Sequence, residues 1–132
     1  MLPKEVLEAW ENREAPAVLG TVSADGVPNI IYVGAIKLYK KTEYDFISTD
    51  CVFVVSDSAF LKTRKNILSS SNVSLLFISK DWKAFQIKGK VTYETAGAVF
   101  DSLSKWVDPK YASVGAAIIN IEEVYCGAER LV

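Results

Sequence analysis

"VSLLFISKDWKAFQIKGKVTYET", residues 73–95, sets the fold class. Its first part, 73–79, is almost continuously apolar, as expected of a strand buried on both faces. Further on, Phe85, Ile87, Gly89 and Val91 alternate with Gln86, Lys88, Lys90 and Thr92, the period-two pattern of a strand with one wet face. Asp81 and Trp82 fall between the two runs and mark a hairpin, so the pair is antiparallel.

Working outward, residues 96–107 return to helical spacing through Val99, Phe100, Leu103 and Trp106, and 114–125 supply a last strand. Upstream, Pro3 suits a first helical turn and Val6, Leu7 and Trp10 recur at three-to-four spacing, predicting a helix over 3–13. β-Branched and small residues around Asp25-Gly26 predict a hairpin with strands near 17–23 and 28–36. Residues 37–50 read as a connection, 51–56 as a strand, and 58–69 as a helix capped by Asp57 or Ser58. The sum is a mainly β, six-stranded antiparallel barrel or sandwich with short peripheral helices. This is not the βαβ rhythm of a dinucleotide-binding sheet, and no G-x-G-x-x-G occurs.

The chain has 132 residues, half of them apolar, which suits one domain spanning 1–132. A net charge of −1 without any block of like charges argues against a nucleic-acid surface. No apolar run reaches the roughly 20 residues a bilayer requires, so a soluble, cytoplasmic protein is expected. Cys51 and Cys126 stand alone in strand-like surroundings and read as small apolar core residues in a reducing compartment. Histidine is absent, which removes the commonest general base and metal ligand. No metal site is expected, and any chemistry should come from a bound group.

"SDSAFLKTRKNIL", residues 56–68, admits two readings. A helix that starts just after a strand aims free amides, and the positive end of its dipole, at an anion. Lys62, Thr63 and Arg64 would then meet a phosphate with an ammonium, a hydroxyl and a guanidinium, with Asn66 one turn on. Equally, Lys62, Arg64, Lys65 and Asn66 form a solvated face opposite Leu61, Ile67 and Leu68.

The runs "DGVPNIIYVGAIK", "VFVVSDSAFLKTRKNI", "NVSLLF" and "FQIKGKV" together closely resemble the pyridoxamine 5'-phosphate oxidase-related FMN-binding split barrels, over roughly residues 18–125. The resemblance implies that Lys62 and Thr63 hold the FMN phosphate, that Asp57 and Ser58 supply contacts nearby, and that Asn66 supports the phosphate loop. It implies too that Tyr32, Val33, Gly34, Ala35 and Lys37 lie along the isoalloxazine ring. A homodimer is implied, with each flavin between subunits and Trp106 reaching the ring from the partner. Lys37 or Lys88, if directed inward, would stabilise negative charge on the flavin. Oxidases acting on pyridoxamine phosphate carry an arginine and histidine pattern near the C-terminus that is missing here, so that reaction is not expected. The same lack of histidine weakens a heme-handling role. An FMN-dependent oxidoreductase or electron-transfer protein is the leading expectation. A non-catalytic flavin carrier and a deazaflavin-dependent reductase are the alternatives.

Overall fold

A computed structural model describes residues 2–132. In chain order the elements are α1 (Lys4–Glu11), β1 (Arg13–Val22), β2 (Pro28–Val33), β3 (Ile36–Lys40), β4 (Cys51–Asp57) and α2 (Lys62–Ser69). They continue with β5 (Asn72–Ser79), β6 (Ala84–Glu94), α3 (Ala98–Ser102), a 3-10 turn (Leu103–Lys105), β7 (Gly115–Cys126) and β8 (Glu129–Arg130). The strands form one antiparallel sheet in the order β2-β1-β5-β6-β7-β4-β3, with β8 beside β7. This sheet curls into a split barrel with three short helices around it. No helix among the described residues is long and apolar enough to cross a membrane.

Among the described residues there are eight strands rather than six. Besides the two-residue β8, the extra one arises because the strand expected over 28–36 breaks at Gly34-Ala35. β2 pairs with β1 from Ala17↔Val33 to Val22↔Pro28, whereas β3 pairs with β4 from Ile36↔Val55 to Lys40↔Cys51. At the break Ser56 N donates to Ala35 O and Ile36 N to Gly34 O, so the chain leaves one side of the barrel and joins the other. Only 41–50, not the whole of 37–50, is connection.

Leu19, Phe53, Leu75, Phe77, Ile87 and Ile119 lie in the barrel interior. α1 closes this core: Val6, Ala9 and Trp10 are buried, and the Trp10 ring meets Phe53 and Phe77 edge-on at 4.8 and 5.0 Å. β5 is buried on one face only. Val73, Leu75, Phe77 and Ser79 point in while Leu76 stays exposed, so its apolar run overstated its burial. A second cluster lies on the opposite face of β3, β4 and β7, where Tyr39, Val52, Val54 and Ile118 are covered by Val99, Leu103 and Val107. Covered on both sides, β4 is buried along nearly its full length.

α2 overturns both its expected start and its expected orientation. It begins at Lys62, not Ser58, and Leu61 at its N-cap offers no side-chain cap. Asp57 instead accepts a hydrogen bond from Phe60 N, 2.9 Å away, in the preceding loop. The buried residues of α2 are Thr63, Asn66 and Ile67, while Leu61 and Leu68 are 75% and 67% exposed. A polar face points inward because the strands beneath provide partners: Asn29 Nδ2 donates to Thr63 Oγ1 (3.2 Å), and Asn66 Nδ2 to Thr21 Oγ1 (3.1 Å).

Candidate functional site

The switch from β2 to β3 leaves a cleft of about 670 Å3, a volume typical of small-molecule sites. Backbone and small side chains of Val33, Gly34 and Ala35 line one side, and Ser58, Ala59 and Phe60 another. A β-carbon built at Gly34 meets no atom within 4 Å, so the strand surface is open to a flat ligand. The third side is made by Trp106, Asp108 and Tyr111, from the segment between the 3-10 turn and β7. Trp106 is fixed from behind: its Nε1 donates to Tyr39 Oη (2.7 Å), which also hydrogen-bonds Ser102 Oγ (2.5 Å). Tyr39 is fully buried and stacks on Tyr44 at 3.8 Å.

Behind the 58–60 wall lies a buried charge. Asp57 Oδ2 accepts from Arg64 Nε (2.5 Å) and Tyr93 Oη (2.5 Å), and its Oδ1 from Arg64 Nη2 (2.9 Å) and Phe60 N (2.9 Å). Burial by itself would raise the carboxyl pKa, but these donors, with Arg64 foremost, hold it below the usual range. Burial and the neighbouring carboxylate push the Tyr93 phenol up to about 12, and the Arg64 guanidinium is held even more firmly charged.

Of the residues expected at the site, Tyr32, Val33, Gly34, Ala35 and Ser58 come together along the cleft. Lys62 is exposed at the first position of α2, just beyond the loop that forms the second wall. Thr63 and Asn66 are buried on the inner face of α2, against Asn29 and Thr21, and Asp57 is fully buried with its acceptor positions filled. Arg64 is committed to Asp57. Lys37 is not in the cleft lining; its Nζ sits 5.7 Å from the Tyr44 ring, and Lys88 Nζ sits 5.4 Å from the Tyr125 ring. Sequence reasoning missed Phe60, Asp108 and Tyr111. All three are in loops, where no periodicity signals a role. Among the described residues no group of three histidine, cysteine or carboxylate side chains converges as a metal site.

The sequence pattern of the pyridoxamine 5'-phosphate oxidase family matches residues 2–125. The chain belongs to this family. The chain is similar to the uncharacterized protein MJ0282 of Methanocaldococcus jannaschii, 28% identical over 127 residues, 94% of this chain and 79% of that protein. HupZ of Group A Streptococcus has the same fold, with a TM-score of 0.77 at 21% identity over 96% of this chain and 94% of that one. An FMN-binding protein from Syntrophomonas wolfei gives 0.74 at 14% identity, over 98% and 90%. HutZ, the heme storage protein of Vibrio cholerae, gives 0.56 at 15% identity, over 95% and 94%. At these identities the three structures establish the split-barrel fold.

The site fits a flavin mononucleotide. An open strand surface without bulk at Gly34 suits a flat ring, and an exposed lysine at a helix N-terminus suits a phosphate.

Proposed function

We propose that this chain binds FMN, with the ring in the cleft along Val33–Ala35 and the phosphate at Lys62, and acts as a flavin-dependent oxidoreductase or electron-transfer protein. The observation that carries the reading is the placement of Lys62: an exposed cation opens α2, and the loop leading to it, Ser58 to Phe60, is a wall of the cleft. When bound, FMN supplies the capacity to accept and pass on hydride or electrons. The protein's share is to bind the phosphate, present the 33–35 backbone to the ring, and shield it with Trp106 and Tyr111. Phosphate binding draws on the Lys62 ammonium and on the α2 dipole.

In this reading the protein is a homodimer with flavin at the boundary between subunits. Ile30 and Tyr32 on the outer face of β2 are 73% and 75% exposed, the kind of apolar surface a second copy would cover. A cytoplasmic location suits the free Cys51 and Cys126, since thiols stay reduced there. Oxidation of pyridoxamine phosphate itself is not part of the proposal, because the arginine and histidine pattern expected of oxidases with that substrate has no counterpart in a sequence without histidine. The commonest heme ligand is missing for the same reason, and this favours flavin over heme.

Titration with FMN and riboflavin tests the assignment. Lys62→Ala is expected to weaken FMN binding by about 1.5–3 kcal/mol, the range for a hydrogen bond to a charged group. Riboflavin, lacking the phosphate, should bind both proteins alike. Equal FMN affinity in the two would overturn the phosphate assignment.

A further inference from the structure

We propose that Asp57 is a positioning residue for the phosphate seat: it locks the 58–61 loop and the first turn of α2 in the geometry that presents Lys62, and touches no ligand itself. This rests on the FMN reading above. Asp57 is fully buried, and its two oxygens already accept four hydrogen bonds, about the capacity of a carboxylate. Those bonds reach three separate places: Phe60 in the loop, Arg64 in α2 and Tyr93 in β6. The Asp57 carbonyl adds a fourth by accepting from Val114 N at 2.8 Å, ahead of β7.

Two details show that the surroundings are built for this cluster. A β-carbon at Gly115 would stand 2.1 Å from Tyr93 Oη, so any larger residue there would displace the hydroxyl that reaches Asp57. Leu61, between Phe60 and Lys62, has φ 50° and ψ −103°, a conformation that an L side chain of its bulk rarely adopts. Its side chain is exposed and gains no burial in return. Such strain persists only where the surroundings over-determine it. Here one carboxylate holds the chain on both sides of Leu61, through Phe60 N before it and the Arg64 guanidinium after it. An ion pair with a buried carboxylate and a part-exposed guanidinium adds little net stability over apolar residues of like size, so its effect here is on geometry.

The test compares FMN and riboflavin dissociation constants for wild type, Asp57→Asn and Asp57→Asn/Leu61→Gly, each first shown to be folded by circular dichroism. In Asp57→Asn the preference for FMN over riboflavin is expected to fall about tenfold, equivalent to one charge-assisted hydrogen bond, with the loss for FMN exceeding any loss for riboflavin. The double variant should recover part of the preference, since glycine adopts positive φ at no steric cost. A folded Asp57→Asn that keeps the wild-type preference overturns the proposal, as does an equal loss for both ligands, the mark of a purely structural role. A double variant that regains nothing overturns the part assigned to Leu61. Should Asp57→Asn fail to fold, Tyr93→Phe, which removes a single donor, is read the same way, with a fall of about threefold expected and an unchanged preference overturning the proposal. Absence of FMN preference in wild type would instead defeat the FMN reading, and that result appears before any variant is made.

Discussion

Gly89→Ala is expected to lower the unfolding free energy by about 3 kcal/mol or more, because the added methyl group meets backbone and has nowhere to go. Gly89 is buried in β6, between β5 and β7, where the register passes from Lys88↔Glu123 to Gly89↔Ile121. A β-carbon there would stand 2.0 Å from Asn120 O, 3.0 Å from Asn120 C and 3.4 Å from Ile121 Cα. None of these is a side-chain end that can rotate away. Relief requires the two longest strands to part or slide, and a slide by one residue would send every interior side chain of a strand to the wrong face. Urea titration of the two proteins measures the effect as a lower midpoint at similar slope. Gly34→Ala is the control, expected within about 0.5 kcal/mol of wild type because its methyl enters open space. Similar midpoints for all three proteins would show that β6 and β7 separate at little cost.

Asp57→Ala is expected to cost about 3 kcal/mol at neutral pH, since it strips the acceptor from Tyr93 Oη and Phe60 N and leaves the Arg64 charge unmatched. The loss should depend on pH in a definite sense. The folded carboxyl pKa lies below the ordinary value, so the folded protein releases this proton more readily than the unfolded chain does. Its contribution is complete above the unfolded pKa of about 3.9 and disappears as pH falls through the folded value. Wild type should therefore lose more stability than Asp57→Ala on going from about pH 6 to below about pH 4, and the gap between their urea midpoints should narrow. Because the other carboxylates are common to both proteins, the difference isolates Asp57. A gap that stays constant down to low pH would mean that the carboxyl titrates as it does in the unfolded chain.

Much of the barrel is legible in the sequence because it rests on local signals. Alternation in 85–92 reports a strand with one wet face, and Asp25-Gly26 reports a turn in which Gly26 takes φ 82°. Val33, Gly34 and Ala35, which the resemblance sets along a ring, line the cleft. What was hidden depends on partners distant in sequence. The turn from β2 into β3 is made by backbone hydrogen bonds from Ser56 and Ile36, which no side-chain pattern announces. The inverted face of α2 depends on Asn29 and Thr21, whose positions relative to the helix are known only once β1 and β2 are folded. The resemblance places Asp57 near the phosphate, but the side chains that fill its oxygens lie on other elements, Arg64 in α2 and Tyr93 far along the chain in β6, and no local pattern announces them.

The strand order also bears on how the chain is made. β1 with β2, and β5 with β6, pair across short turns, but β4 finds its second neighbour only in β7, with Val52 opposite Asn120. Until β7 emerges, the Val52–Val55 run, apolar on both faces in the finished barrel, has only β3 beside it. At translation rates of about 5–20 residues per second that interval lasts roughly 3–12 s. During it the nascent chain carries an uncovered, apolar strand edge of the kind that pairs with other chains.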